Sequence, residues 1–321
     1  MTNIAVVILT YNEEIHIRSS IEAVSRIRPT PEIFIIDSGS SDRTQQISRD
    51  CGATVLENKF INYAKQFTWA IDNIQTSADW VMRLDADEIV SEELADELTI
   101  LIPELSEDVT GIYLLRRHVF NGTPILHGGR FPLKLLRIWR SGTAKIEDRW
   151  MDEHMVLSRG STITAKGTFD DVNLKGLSFF IEKHNGYATR EALDVILERH
   201  QLGGNEITVK DQPGRFTQDR MKRMLKQKVF YRIPYPLAAT LYFSLRYFAQ
   251  RGFLDGASGL EYHFLQGFWY RFLVGAKVRE FDAEISPSWT ANEKLRYLAF
   301  KSGYSIEALG GERRTIETEQ Q

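Results

Sequence analysis

The chain has 321 residues, 43% of them apolar and 26% charged, with a formal net charge of −3. Those proportions belong to an ordinary globular protein, one large domain or one domain with a sizeable extension, and exclude an unstructured or fibrous chain. The slightly acidic balance gives no general attraction to nucleic acid, and a single cysteine, Cys51, excludes an internal disulfide and fits a reducing compartment.

No base that would activate Cys51 is visible in sequence, so it reads as a small buried residue. Met1-Thr2-Asn3 leads straight into an apolar run without the basic region or cleavage pattern of a signal peptide. The longest uncharged run in the second half, Ile233 to Leu245, is shorter than the ~20 residues a spanning helix needs. No bilayer crossing is expected. The segment after Gly310 has a disordered composition.

Taken in order, Ile4 to Thr10 is a continuous apolar run, the mark of a strand buried on both faces of a parallel sheet. Tyr11-Asn12-Glu13-Glu14 follows, and Ile17, Ile21, Val24 and Ile27 then keep helical spacing until Pro29 and Pro31. A second buried strand, Glu32 to Asp37, leads into Ser38-Gly39-Ser40-Ser41-Asp42, where Ser41 is placed to cap a helix through Ile47. Ala53 to Leu56 predicts a short third strand. Tyr63 to Ile74 predicts a helix with Phe67, Ala70, Ile71 and Ile74 on one face. Trp80 to Asp85 then runs into Ala86-Asp87-Glu88, ahead of a helix starting near Ser91.

This βαβαβαβ order with short connections predicts an α/β fold with a mainly parallel sheet and flanking helices. Ligands of such sheets bind at the carboxyl ends of the strands. The polar clusters Thr10 to Glu13, Asp37 to Asp42 and Asp85 to Asp87 all fall at such ends and are expected to converge on one crevice. Strand alternation would point Asp85 and Asp87 the same way. Paired hard oxygen ligands of this kind suit Mg²⁺ or Mn²⁺ bridged to phosphates, although a solvated acidic turn has the same sequence. There is no Gly-x-Gly-x-x-Gly and no Walker lysine motif, which argues against a nicotinamide, flavin or P-loop site. Tyr11 offers a flat face to a base, and Asp37 can accept from a base or ribose donor.

Three motifs in this order carry a resemblance: Val7-Ile8-Leu9-Thr10-Tyr11-Asn12-Glu13, then Asp37-Ser38-Gly39-Ser40-Ser41-Asp42-Arg43-Thr44, then Leu84-Asp85-Ala86-Asp87-Glu88. They resemble the family 2 glycosyltransferases of GT-A fold, in the bacterial branch of lipopolysaccharide-core β-glucosyltransferases and exopolysaccharide transferases. The resemblance implies that Thr10, Tyr11, Glu13, Asp37 and Gln66 line the nucleotide pocket. It also implies that Asp85, Ala86 and Asp87 hold the sugar nucleotide, Asp85 and Asp87 through a metal. Phe67-Thr68 stand where many relatives carry a basic residue and an asparagine.

Gly111 to Val119 and Leu133 to Trp139 read as further strands, with Gly128-Gly129-Arg130 as a flexible turn between them. That turn is either a plain hairpin connection or a segment closing on the donor, with Arg130 as counter-charge. Asp148-Arg149-Trp150-Met151-Asp152-Glu153-His154 concentrates the carboxylates that a sugar transfer needs to take a proton from the attacking hydroxyl. It resembles the family's acceptor-side acidic motif, which makes Asp152 or Glu153 the base of an inverting displacement. Lys183-His184-Asn185-Gly186 is expected to open a helix running to about His200. His184 resembles the late histidine that completes the metal sphere in several GT-A enzymes, and a surface position is the alternative.

The catalytic domain is expected over 1–205, a helical extension over 206–310 and a disordered tail over 311–321. From Arg215 to Arg251 nine Arg and Lys residues face one acid, Asp219, and Phe and Tyr are interleaved among them. Such a stretch suits helices lying in a membrane interface. A helical lid or an oligomer interface would serve too, and RNA binding is disfavoured by the acidic remainder. Gly252 to Gly256 and Leu265 to Phe272 read as helix–turn–helix packing.

The expected protein is therefore a cytoplasmic glycosyltransferase, peripheral to the inner face of the membrane. It would use Mn²⁺ or Mg²⁺ and pass a sugar from a nucleoside diphosphate sugar, a UDP-sugar, to a lipid-linked or cell-surface glycan. The competing readings are a sugar-phosphate nucleotidyltransferase and a non-catalytic membrane-associated binding protein on the same fold. The first would need a basic Gly-rich loop where Tyr11 to Glu14 is acidic. The second is opposed by the retention of Asp85, Asp87, Asp152 and Glu153.

Overall fold

The structure, a computed structural model, describes residues 3–146, 155–202 and 233–306. Its α/β core opens with β1 (Ile4–Thr10), α1 (Ile17–Val24), β2 (Glu32–Asp37), α2 (Thr44–Asp50), β3 (Thr54–Glu57), α3 (Tyr63–Asn73), β4 (Trp80–Asp85), β5 (Glu88–Val90) and α4 (Glu92–Glu104). It continues with β6 (Val109–Phe120), β7 (Thr123–Ile125), β8 (Leu133–Arg140), β9 (Ala144–Ile146), β10 (Met155–Leu157) and β11 (Ser161–Val172). One sheet runs β3-β2-β1-β4-β8-β6-β11-β5, with β7 beside β6, and β9 and β10 form a separate pair. Neighbours β3, β2, β1 and β4 are parallel, as are β6 and β11, whereas β8 and β5 run against them. The mainly parallel sheet expected from sequence is present.

Both faces of that sheet are covered, which is why β1 is buried at every position and apolar from Ile4 to Leu9. Val6 and Ile8 pack with Ile17 and Ile21 of α1 and Leu94 and Leu98 of α4. Val7 and Leu9 point the other way, onto Phe67 and Ala70 of α3 and Trp139 of β8. Each fully buried Ile or Leu contributes about 1.5–3 kcal/mol. The face of α3 is narrower than its spacing predicts, since Ile71 is exposed. Ser41 does not cap α2. Its N–H goes to Asn12, and the Asp42 carboxylate takes the Thr44 N–H instead. Ser91 does cap α4, accepting from Leu94 N at 3.2 Å. Cys51 is half-buried against the core, and burial pushes its thiol up.

The chain forms two compact units, 1–176 with 250–259, and 177–249 with 260–321. The expected boundary near residue 205 is therefore displaced to Gly176. The cause is α5 (Gly176–Arg199), whose Ala188, Leu193 and Ile196 bury against Tyr270, Val274 and Phe281 of the helical unit. That unit also holds α6 (Tyr235–Ser244) with a π-helical turn Leu245–Ala249, the second half of α7 (Gly256–His263), α8 (Tyr270–Glu284) and α9 (Ala291–Ser302). His184 sits about two turns inside α5 rather than at a helix start. The expected helix–turn–helix over 252–272 is a 3-10 turn, α7, a π-helical stretch Phe264–Trp269 and α8.

Candidate active site

Strand register decides where the polar clusters go. Thr10 pairs with Asp37 across β1 and β2, and Leu9 pairs with Asp85 across β1 and β4. Neighbouring strands lie about 4.8 Å apart, so the segments following Thr10, Asp37 and Asp85 share one edge of the sheet, as expected.

The loops after β1 and β2 are laced together by short polar side chains. Asn12, in the left-handed region that Asn tolerates, donates its N–H to Ser40 Oγ at 2.8 Å and accepts from Ser41 N at 2.8 Å. Glu13 N donates to Thr44 Oγ1 at 2.8 Å, and Glu14 N donates to Asp42 at 3.1 Å. The Ser-Gly-Ser-Ser-Asp motif thus holds the first loop. Asp37 sits buried beneath it. One of its oxygens accepts from Gly39 N, Ser40 N and Gln45 Nε2, and the other accepts from the Thr10 and Ser40 hydroxyls. Burial alone would raise its carboxyl, but these donors outweigh it and hold Asp37 below its ordinary value. The five bonds engage both oxygens that the sequence reading offers to a base or ribose.

Glu13 is also engaged. Its carboxylate meets His16 Nδ1 at 2.6 Å and Lys175 Nζ at 2.7 Å. His16 Nε2 accepts from Leu174 N at 2.9 Å, which leaves the ring proton on Nδ1, donated to Glu13. Burial pushes Glu13 up, yet His16 and Lys175 bring it below the usual range. Gln66, buried on α3, donates to Ser38 Oγ at 3.2 Å and Asn58 O at 3.0 Å, bridging the ends of β2 and β3. Tyr11, the residue after β1, is 60% exposed.

Around the acidic motif the chemistry is ionic. The strand ends at Asp85, and Ala86-Asp87 form a turn into β5, so strict strand alternation does not reach Asp87. Ala86 is buried, whereas Asp85 and Asp87 are partly exposed. Arg137 of β8 lies 3.3 Å from Asp85 and also contacts the buried Glu88, and Arg83 lies 3.7 Å from Asp85. Arg116 reaches Asp171 at 3.4 Å, and His118 Nδ1 meets the same carboxylate at 3.2 Å. Arg117 forms a two-pronged pair with Asp170, at 2.6 and 2.8 Å. Burial would raise Asp85, but Arg137, Arg83 and Arg116 together hold it below its ordinary value. Burial pushes the Glu88 carboxyl up, to about 8. Arg137 pulls the other way, and the Asp85 charge adds to the push.

None of these arginines was anticipated. The signal for them was an Arg inside an otherwise apolar strand, in Trp80-Val81-Met82-Arg83-Leu84 and in Leu135-Leu136-Arg137-Ile138-Trp139. An arginine there is either out of the core or paired within it.

The turn 126–130 precedes β8, whose antiparallel course places its start at the same sheet edge. The turn is clipped from far away in sequence. Asp255 accepts from Leu126 N at 3.3 Å, His127 N at 3.0 Å and His127 Nδ1 at 2.6 Å, and Gly128 N donates to Gln250 O at 2.9 Å. A Cβ at Gly129, where φ is +68°, would lie 2.6 Å from Gln250 Oε1 and would make that side chain move. The segment carrying Arg130 is thus a pinned turn in the sheet unit. His184 belongs to the helical unit, stacked on Phe180 with Nδ1 donating to Phe180 O at 2.7 Å and Nε2 against Gln266. Asp152 and Glu153 lie outside the described residues.

A sequence model of glycosyl transferase family 2 matches residues 5–170, just over half of the chain. The chain belongs to that family. An uncharacterised glycosyltransferase of Rickettsia typhi is 34% identical over 108 residues, 34% of this chain and 36% of that protein. Protein RfbJ of Shigella flexneri is 32% identical over 100 residues, 30% of this chain and 73% of that protein. The chain therefore aligns with little more than a third of the length of the rickettsial relative. Among solved structures, glucosyl-3-phosphoglycerate synthase of Mycobacterium tuberculosis, crystallised with Mn²⁺, UDP and glucosyl-3-phosphoglycerate, is 23% identical. The alignment covers 36% of this chain and 44% of that one at a TM-score of 0.30. The GT-A type of fold implied by the sequence motifs is the α/β fold observed.

Among the described residues no three His, Cys, Asp or Glu side chains gather to hold a metal by themselves. Mg²⁺ or Mn²⁺ bound through one or two carboxylates and completed by substrate phosphates needs no such cluster. Asp85 and Asp87 are the carboxylates on which such a mode would draw.

Proposed function

We propose that this family 2 chain is an inverting glycosyltransferase that takes a hexose from a nucleoside diphosphate sugar, UDP-linked, and passes it to a lipid-linked or cell-surface glycan. The carrying observation is the register that sets Tyr11, Asp37 and the Asp85–Asp87 turn along one sheet edge in a chain of this family. Tyr11 provides the stacking face for the base. Asp37 and Gln66 fix the loop that frames the nucleotide, and Glu13 is oriented by His16 and Lys175 at its rim.

Asp85 and Asp87 would hold Mg²⁺ or Mn²⁺, and the cation would supply charge neutralisation for the departing diphosphate. Ala86, packed inward between the two acids, lets the chain approach the sugar nucleotide closely. Arg130, on its pinned turn, is the counter-charge on the donor side. Asp152 or Glu153 takes the proton from the acceptor hydroxyl as that oxygen bonds to the anomeric carbon and the diphosphate oxygen leaves. The reaction takes place at the inner face of the cell membrane, in lipopolysaccharide or exopolysaccharide assembly.

The test is release of nucleoside diphosphate from a panel of donor sugars, with Mn²⁺, Mg²⁺ or EDTA and with water or lipid extract as acceptor. Metal-dependent release from one donor, abolished in Asp87→Ala, is expected. Absence of both turnover and metal-dependent UDP binding would sink the proposal.

A further inference from the structure

The helical unit carries an apolar surface that none of its described neighbours covers. Along α6 and its π-helical turn, Leu237, Leu241, Leu245 and Phe248 are 51%, 52%, 50% and 60% exposed. Their spacing places them on one side of the helix, while Ala238 and Ala239 turn inward and are buried. A second row comes from Leu260 and Phe264, each 46% exposed and one turn apart. Phe243 lies 6.3 Å from both Phe248 and Phe264 and joins the two rows into one surface. Isolated exposed leucines are ordinary, but a continuous row is not.

The charge around this surface says what meets it. From Tyr235 to Ala249 the only charged side chain is Arg246, which is buried among the rings of Tyr242 and Tyr262. The seventeen residues immediately upstream, from Arg215 to Tyr231, contain six Lys or Arg and one acid, and Arg232 follows. A second copy of this chain would bring only the same uncharged rows and the same cation-rich sequence. An anionic lipid surface instead offers acyl chains to the rows and phosphates to the cations. The rows are long enough to lie in an interface, and no helix among the described residues is long and apolar enough to cross one.

We infer that Leu237, Leu241, Leu245, Phe248, Leu260 and Phe264 form the face that the protein inserts into an anionic bilayer. The inference rests on the lipid-linked acceptor proposed above and names the surface that brings the enzyme to it. The full chain is sedimented with vesicles of phosphatidylcholine alone or mixed with phosphatidylglycerol, at low and high salt. Wild type should bind the anionic vesicles and lose affinity with salt. Leu241→Glu and Leu245→Glu should each weaken binding about tenfold, the scale set by losing one buried leucine. Ile100→Glu, an exposed apolar position in the sheet unit, should leave binding unchanged. Circular dichroism checks that each variant is folded, and donor hydrolysis with water as acceptor is measured on the same preparations. Folded Leu241→Glu and Leu245→Glu that still bind overturn the inference. So does wild type that ignores anionic vesicles, or a wild-type dimer that the same substitutions make monomeric. Donor hydrolysis retained through any of these outcomes leaves the transferase proposal standing.

Discussion

One edge of one sheet is held together in two different ways. At the β1–β2 end the loops are fastened by hydroxyls, amides and backbone N–H groups around a single buried carboxylate, Asp37. At the β4–β8 end the fastening is ionic, with Arg83, Arg116 and Arg137 set among Asp85, Glu88 and Asp171. Many modest bonds fix the first end, and no single partner is indispensable to it. The second depends on charges that desolvation makes expensive to leave alone. Under the proposed function this division would keep the frame for the base rigid while the acids stand in a field of opposite charges.

The comparison is sharpest at Arg137. Measured above pH 8, where Glu88 is ionised, Arg137→Ala removes its closest counter-charge and should cost about 3–5 kcal/mol in chemical denaturation. Replacing both partners by apolar side chains, Arg137→Met with Glu88→Leu, should recover most of that loss, since Asp85 keeps Arg83 and Arg116 keeps Asp171. If the double variant is as unstable as the single one, the ionic description of this end is wrong.

At the other end Asp37→Asn should cost about 1–3 kcal/mol, the range for hydrogen bonds that lose a charged acceptor. Its pH dependence has a definite sign. The folded Asp37 carboxyl lies below its ordinary value, so its contribution is complete above the unfolded pKa, about 3.9. It is lost as pH falls from there through the lower folded value. Denaturation midpoints of wild type and Asp37→Asn should therefore converge on going from pH 6 to pH 3. A gap of constant size would show that the charge of Asp37 is irrelevant.

The smallest effect belongs to one strand of the lacing. Ser40→Ala removes a hydroxyl that donates to Asp37 and accepts from Asn12, and should cost about 1 kcal/mol. A loss as large as that of Arg137→Ala would mean that the two ends are not different in kind.

How much of this could be read from the chain follows the same division. The strands and their shared edge were legible because β1, β2 and β4 are apolar on both faces and end in polar clusters at matching register. Asp85 and Asp87 were legible as a motif, although the turn at Ala86-Asp87 replaced the expected alternation. The arginines were not, because an Arg inside a strand does not announce its partner fifty residues away. Ser41 was misread as a cap because Asp42, one residue on, takes the Thr44 N–H while the Ser41 N–H goes to Asn12, a choice that spacing does not decide. The Asp255 clip has no local signature at all.

That clip has a consequence for the order in which the chain is made. The turn 126–130 finds its anchor only with Asp255, 128 residues beyond His127. The chain leaves the sheet unit at Gly176 and revisits it over 250–259 before departing again. A ribosome that has released the whole matched family segment, residues 5–170, has therefore not yet supplied the last piece of the sheet unit. What resembles a detachable tail is also the source of a late keystone, and shortening the gene to its family-matched part would deliver the site with that turn untied.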